Sequence, residues 1–193
     1  MKTLSLIILI FFSVNSSFAQ VEFPKLNATW CYQAYGDHGE HLYQICYSTD
    51  SIIDINGILY SRIKYQQNLY DTMHTIYYRE ENSKFFILPK DSINEILLCD
   101  FNLNIGDTFN TRKWGWNEHE DKILTVYDIG IIVTLDGVLR KVIHLGSNDG
   151  EGYQALWIEG LGNAEWNFLY PNYRGSISGG FMFIGHCADG EMI

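Results

Sequence analysis

The sequence predicts an all-β domain, an antiparallel meander of short strands that closes into a sandwich or barrel. Three observations carry this expectation. Short runs rich in aromatic and β-branched residues, drawn from a chain with 13 Tyr and 11 Phe, alternate with polar breaks, and these residue types suit a half-buried pleated surface. The dipeptides Asn56-Gly57 and Asp136-Gly137 sit between apolar runs, and both favour the positive φ angles of a type I′ hairpin turn. No window sustains a 3.6-residue apolar period; the best, 91–98, offers a helical turn at most before running into a strand. Consecutive hairpins without helical crossovers make a meander.

In order, the strands are expected over 29–35, 41–48, 52–55, 58–65, 75–80, 84–88, 96–101, 108–113, 122–128, 131–135, 138–145, 155–158 and 181–185. Asn82-Ser83 and Asp37-His38-Gly39 are weaker turn signals of the same kind. Three connections are longer, at 115–121, 146–153 and 163–180. The last is rich in Gly, Asn and aromatic residues and has the make-up of a binding rim or a cover over an open barrel end.

Residues 1–19 read as a signal peptide. Lys2 supplies the charge, residues 4–12 are apolar apart from Ser5, and Ser17 and Ala19 place small residues before a cut at Gln20. The apolar run is short of the ~20 residues that span a bilayer, so no membrane span is expected. Residues 20–193 then form a single β-rich domain, large enough to bury roughly 70% of its unfolded surface. The formal net charge of −10 and the lack of a Lys/Arg cluster disfavour phosphate backbones and anionic membranes, so no nucleic-acid partner is expected.

Cys31, Cys46, Cys99 and Cys187 all follow the signal segment, and four cysteines allow three pairings. Cys31 and Cys46 lie symmetrically about His38-Gly39. A tight turn there would pair Asp37 with Glu40 and Tyr35 with Leu42, and bring the two cysteines face to face. Cys99 and Cys187 would then form a second bridge. The alternative for all four is a buried free thiol.

Several motifs together resemble a known family. They are Trp30-Cys31-Tyr32, Gly57-Ile58-Leu59-Tyr60, Arg79-Glu80, the stretch from Cys99 to Thr108 with Gly106-Asp107, Asp136-Gly137 followed by Arg140-Lys141, Trp157-Ile158-Glu159-Gly160-Leu161-Gly162, and Cys187 with Gly190. The set resembles a β-rich domain of uncharacterised secreted Bacteroidota proteins, many of which continue into a C-terminal sorting tail for type IX secretion. The resemblance implies export and brings no catalytic residues, since the family has no assigned activity. Cys99 stands where the family usually has Tyr and Ala188 where it has Phe, which makes a private Cys99–Cys187 bridge conceivable. The chain ends at Ile193 without a sorting tail.

The candidate sites have bland readings beside the functional ones. His38 and His41 with Asp37 and Glu40 carry metal-ligand chemistry but read as a polar hairpin tip, and Glu118-His119-Glu120-Asp121 as a solvated acidic loop. Asn148-Asp149-Gly150-Glu151-Gly152 offers oxygen ligands without the spacing of an EF-hand. No metal and no cofactor is expected. Asp100, Asp107 and Glu159 are the carboxylates beside the motif segments, and Asp107 with Glu159 is the pair a glycosidase-like hydrolase would use, some 5–10 Å apart; turn capping and backbone contacts are the competing roles. Trp114, Trp116, Trp166, Tyr170 and Tyr173 lie in the longer loops and form the candidate ligand face, of a kind that stacks on sugars. The resulting expectation is a secreted, non-catalytic binding or surface-interaction module for a glycan or an envelope protein. The alternatives are an extracellular hydrolase and a structural domain of a larger type IX cargo protein.

Overall fold

The computed structural model describes residues 20–35, 41–66, 74–111, 122–147, 153–164, 173–174, 180–188 and 191–192. Among these the regular structure is all strand: β1 (Ala28–Tyr35), β2 (His41–Ile55), β3 (Ile58–Gln66), β4 (His74–Glu81), β5 (Lys84–Pro89), β6 (Ile96–Asp100), β7 (Thr108–Thr111), β8 (Lys122–Val133), β9 (Leu139–Ser147), β10 (Tyr153–Ile158), β11 (Gly162–Asn163), β12 (Tyr173–Arg174), β13 (Gly180–Ala188) and β14 (Glu191–Met192). They form two antiparallel half-barrel sheets. One runs β14-β13-β1-β2-β3-β4-β5-β6 and the other β11-β10-β9-β8-β7, with β12 added against β10. Each sheet is a meander, as expected, and the chain returns at its end to lay β13 beside β1.

Two strands are longer than the sequence suggests. Polar residues at 49–51 were expected to end one strand, and Ile129-Gly130 to separate two others. Instead β2 and β8 each continue through a bulge, which absorbs one unpaired residue and bends the strand. In β2 the pairing steps from Thr49↔Ile63 to Ser51↔Arg62, leaving Asp50 as the extra residue. Its carboxylate accepts from Arg62 Nε at 2.7 Å and Nη2 at 2.8 Å, so the break residue is tied to the neighbouring strand. In β8 the extra residue is Tyr127.

The turns show how side chains select backbone geometry. Asn56 and Gly57 have φ of 55° and 83°, and Asn82 and Ser83 of 52° and 57°, matching the two positive angles of type I′. Asp136-Gly137 departs from that expectation. Gly137 alone is left-handed (φ 77°), with Gly137 N–H donating to Thr134 O and Thr134 N–H to Val138 O. This is a type I turn closed by a glycine bulge. The Asp136 carboxylate selects it by accepting from Val138 N–H at 3.0 Å and Thr134 Oγ1.

Both sheets contribute to a single core. Trp30, Tyr32, Ile63, Tyr78 and Phe85 from the first pack with Leu124, Val126, Ile143, Leu145 and Trp157 from the second. Trp157 lies edge-on to Phe109, with ring centroids 4.7 Å apart, and to Phe101 at 6.4 Å. Phe101 N–H also donates to Ser83 O at 2.8 Å, and Tyr32 Oη to Asn163 O at 3.3 Å. The aromatic packing of Trp157 on Phe101 and the Tyr32–Asn163 hydrogen bond cross from one sheet to the other and join the layers.

Cys31 sits directly opposite Cys46 in the β1–β2 pairing, and the two form a disulfide. The hairpin is not fully symmetric: a bulge pairs Tyr35 with His41 rather than with Leu42. The second expected bridge does not form. Cys99 is a buried free thiol on β6, packed among Phe23, Phe85 and Phe101 in the core. Burial pushes this thiol well above its ordinary range, which keeps it protonated.

Candidate functional site

The β8–β9 hairpin outruns its neighbours. On one side, β7 pairs only with Lys122 to Thr125, extended by backbone bonds from the Gly106-Asp107 turn to Val126. On the other, β10 pairs with β9 from Val142 to Gly146. The end of the hairpin, Ile129–Ile131 on one strand and Leu139–Lys141 on the other, lines a cleft of about 410 Å³ together with Gln20, Ser83 and Glu159. Ser83 belongs to the β4–β5 turn of the first sheet, so the cleft lies at the seam between the two layers.

Apolar walls with a few fixed polar groups are the make-up of a binding site rather than a packing defect. Lys141 Nζ donates to Phe101 O at 2.7 Å and Leu103 O at 3.2 Å, which ties the hairpin to the β6–β7 connection. Burial pulls its ammonium below the ordinary lysine range, against the attraction of Glu159 and Asp100. Arg140, 4% exposed, donates to Asp136 Oδ2 at 2.7 Å, Thr134 Oγ1 at 2.9 Å and Glu159 O at 3.2 Å. Its charge is spent on holding the turn and the 159–161 segment together.

Glu80 is linked to the cleft through Gln20, which lines it. It accepts from Gln20 Nε2 at 2.9 Å and Phe23 N–H at 2.8 Å. Burial raises its carboxyl above the ordinary value, the two hydrogen bonds oppose this, and repulsion from Glu22 and Glu159 adds to it. A smaller cavity of about 190 Å³ lies against β3 and β4, lined among others by Glu80, Tyr60, Tyr78 and Arg79. Its polar groups are already engaged: Tyr60 Oη donates to Glu95 Oε1 at 2.6 Å and Arg79 Nη2 to Glu95 Oε2 at 2.7 Å.

The carboxylates singled out in the sequence take different positions. Asp107 is exposed, and its Oδ2 accepts from Asn104 N–H at 2.8 Å, fixing the turn that contains left-handed Gly106. Asp100 likewise accepts from Asn102 N–H at 3.0 Å and pairs with Lys84 at 3.2 Å. Glu159 is buried and lines the cleft, where Oε2 accepts from Lys141 N–H at 3.4 Å. Asp107 does not line that cleft. Trp114, Trp116, Trp166 and Tyr170 lie outside the described residues, as do 118–121, 148–152 and His38. Of Tyr173 the backbone is placed, pairing with Gln154 at the edge of β10. Among the described residues, no group of three His, Cys, Asp or Glu side chains is placed to hold a metal ion.

Sequence reasoning passed over Gln20, Ser83, Ile129, Ile131, Leu139 and Lys141 as site residues. The available signal was the uncharged run from Ile129 to Leu135, continued past the length that the neighbouring strands can cover.

Fold and cleft together define an all-β, two-sheet half-barrel protein with a ligand-sized seam, carrying a disulfide consistent with an extracytoplasmic location. No family model and no curated protein matches the chain. The chain is similar to a solved structure from Bacteroides fragilis, a candidate exported protein with YmcC-like fold. The identity is 11% and the TM-score 0.44, over 84% of this chain and 95% of that one.

Proposed function

We propose that the protein is a non-catalytic binding module that works outside the cytoplasm, in the periplasm, at the cell surface or in the medium, and holds a segment of an envelope protein. The observation that carries this reading is the seam cleft, whose apolar hairpin wall stays open while its ionic groups are tied to backbone. The contacts of Asp107 with the Asn104 turn and of Glu159 with the Lys141 amide support structural roles for both over hydrolysis. Export is supported by the signal-like residues 1–19 and by the disulfide.

Binding should be measured calorimetrically against peptides from envelope proteins, for the native chain and for Ile131→Asp and Leu139→Asp. The expected result is binding by the native chain that both variants lose without a change in melting temperature. Undiminished binding by the variants would place the ligand elsewhere and overturn the assignment to the cleft.

A carbohydrate ligand is the second reading, favoured by the tryptophans and tyrosines of the longer loops. A glycan array should then show binding that Trp114→Ala and Trp116→Ala remove. No binding by the native chain, or equal binding by both variants, would eliminate it.

A further inference from the structure

The outer edge of β8, beyond the bulge at Tyr127, has no strand beside it among the described residues, because β7 stops short of it. From Asp128 to Val133 the strand pairs only with β9. In an antiparallel ladder every second residue turns its N–H and C=O away from the existing partner, so these residues present unpaired backbone groups outward. Successive side chains there are also uncovered: Ile131 is 49% exposed, Ile132 38% and Val133 66%. Since neighbours in a strand point to opposite faces, the segment is open on both faces as well as along its edge. Natural edges of this kind are normally blunted by lysine, proline or a bulge. None of these interrupts Ile129-Gly130-Ile131-Ile132-Val133-Thr134-Leu135. The opposite edge of the first sheet contrasts with this, since Ile96 to Asp100 on β6 are all half-buried or buried.

We infer that this edge of β8 is a strand-addition site for an extended, apolar peptide segment of another exported protein, with a basic residue opposite Asp128. The inference rests on the binding-module reading and specifies its partner. Unpaired backbone groups in a row are matched by another extended backbone, and the neutral run asks for apolar side chains on either face. Charge decides between a foreign segment and a second copy. Asp128 is exposed and has no ion-pair partner among the described residues, and the whole chain carries −10. A cationic segment is drawn in, whereas a second copy brings the same negative charge, and antiparallel pairing centred on Ile131 would set Thr134 opposite Asp128.

The test uses the isotope-labelled protein and two capped heptapeptides whose valines fall on both faces of the strand, interrupted by single threonines, one ending in lysine and its twin in glutamate. Amide hydrogen exchange should slow at alternate residues between Asp128 and Val133 when the lysine peptide is added. The lysine peptide should bind about fivefold more tightly than its twin at low salt. Asp128→Lys should reverse that preference, and Ile132→Lys should abolish binding with the melting temperature unchanged. Absence of edge protection, equal affinity for the twins, or no reversal in Asp128→Lys would overturn the inference. So would edge protection that rises with protein concentration alone, which assigns the edge to a second copy. Loss of binding in the cleft variants Ile131→Asp and Leu139→Asp with no protection along β8 would leave the binding module standing without the strand-addition site.

Discussion

Gly160 lies against the guanidinium of Arg140 so closely that a Cβ on the glycine would come 2.5 Å from Nη1. The same Cβ would meet Glu22 O at 3.2 Å and Val21 Cγ1 at 3.1 Å, and Gly160 has φ of +75°. The close approach is what lets Arg140 reach Glu159 O and pin the 159–161 turn beside the cleft.

Gly160→Ala should therefore destabilise the fold by about 1–3 kcal/mol, from left-handed strain plus displacement of a buried arginine. Urea unfolding checks this. At Gly57, which has positive φ but nothing within 4 Å of a built Cβ, the same substitution should bring the conformational cost alone. Equal losses at the two sites would show that the Arg140 contact carries no weight.

Reducing the Cys31–Cys46 disulfide, or replacing both cysteines with alanine, should remove about 3 kcal/mol. The bridge closes a sequence separation of 15 and so limits the freedom of the unfolded hairpin. Unfolding with and without reductant measures the effect. Thiol titration of the unfolded, non-reduced protein should find Cys99 free, and blocking of Cys99 in the folded state should be slow because it is buried.

Stability should fall between acid and neutral pH through Glu80. Its folded-state carboxyl lies above the ordinary 4.5, so its favourable contribution is complete below that value and is lost as pH rises through the shifted one. Glu80→Gln, which keeps an acceptor for Phe23 N–H, should flatten the melting-temperature profile above pH 4.5. Asp50 acts in the opposite sense and in a separate window. Arg62 holds it well below 3.8, so its contribution is present above 3.8 and disappears as pH falls further. Asp50→Asn should lower the melting temperature throughout the range above 3.8 and flatten the acid limb, where the native chain loses the same contribution; an unchanged profile in Glu80→Gln would refute the assignment to Glu80.

Glu95→Ala should cost about 1–2 kcal/mol, reduced from the fully buried case because both partners retain some solvent. Glu95 gathers Tyr60 and Arg79 from two strands onto the β5–β6 connection. Arg79 also covers the Phe86 ring at 4.6 Å. Near-neutral behaviour of Glu95→Gln, which keeps one of the two accepting oxygens, would show that the Oε1 contacts suffice; a loss as large as in Glu95→Ala would show that the second oxygen or the charge is needed.

What the sequence determined by itself is local. Alternating side chains and turn residues act over a few positions, so the strands, the Asn56-Gly57 and Asn82-Ser83 turns and the opposition of Cys31 to Cys46 could be read directly. The motif from Cys99 to Thr108 was legible as strand, Gly106-Asp107 turn and strand for the same reason. Tertiary structure decided whatever depends on a partner remote in the chain. Asp50 continues a strand because Arg62 faces it, and Asp136 accepts from Thr134 and Val138 and so makes a bulged turn instead of type I′. Cys99 stays a thiol because the topology sets Cys187 on β13, with five strands of the sheet between it and β6. The cleft and the bare edge of β8 exist only because β7 and β10 end before the hairpin does, and strand ends are fixed by pairing between segments whose relative length no local pattern records.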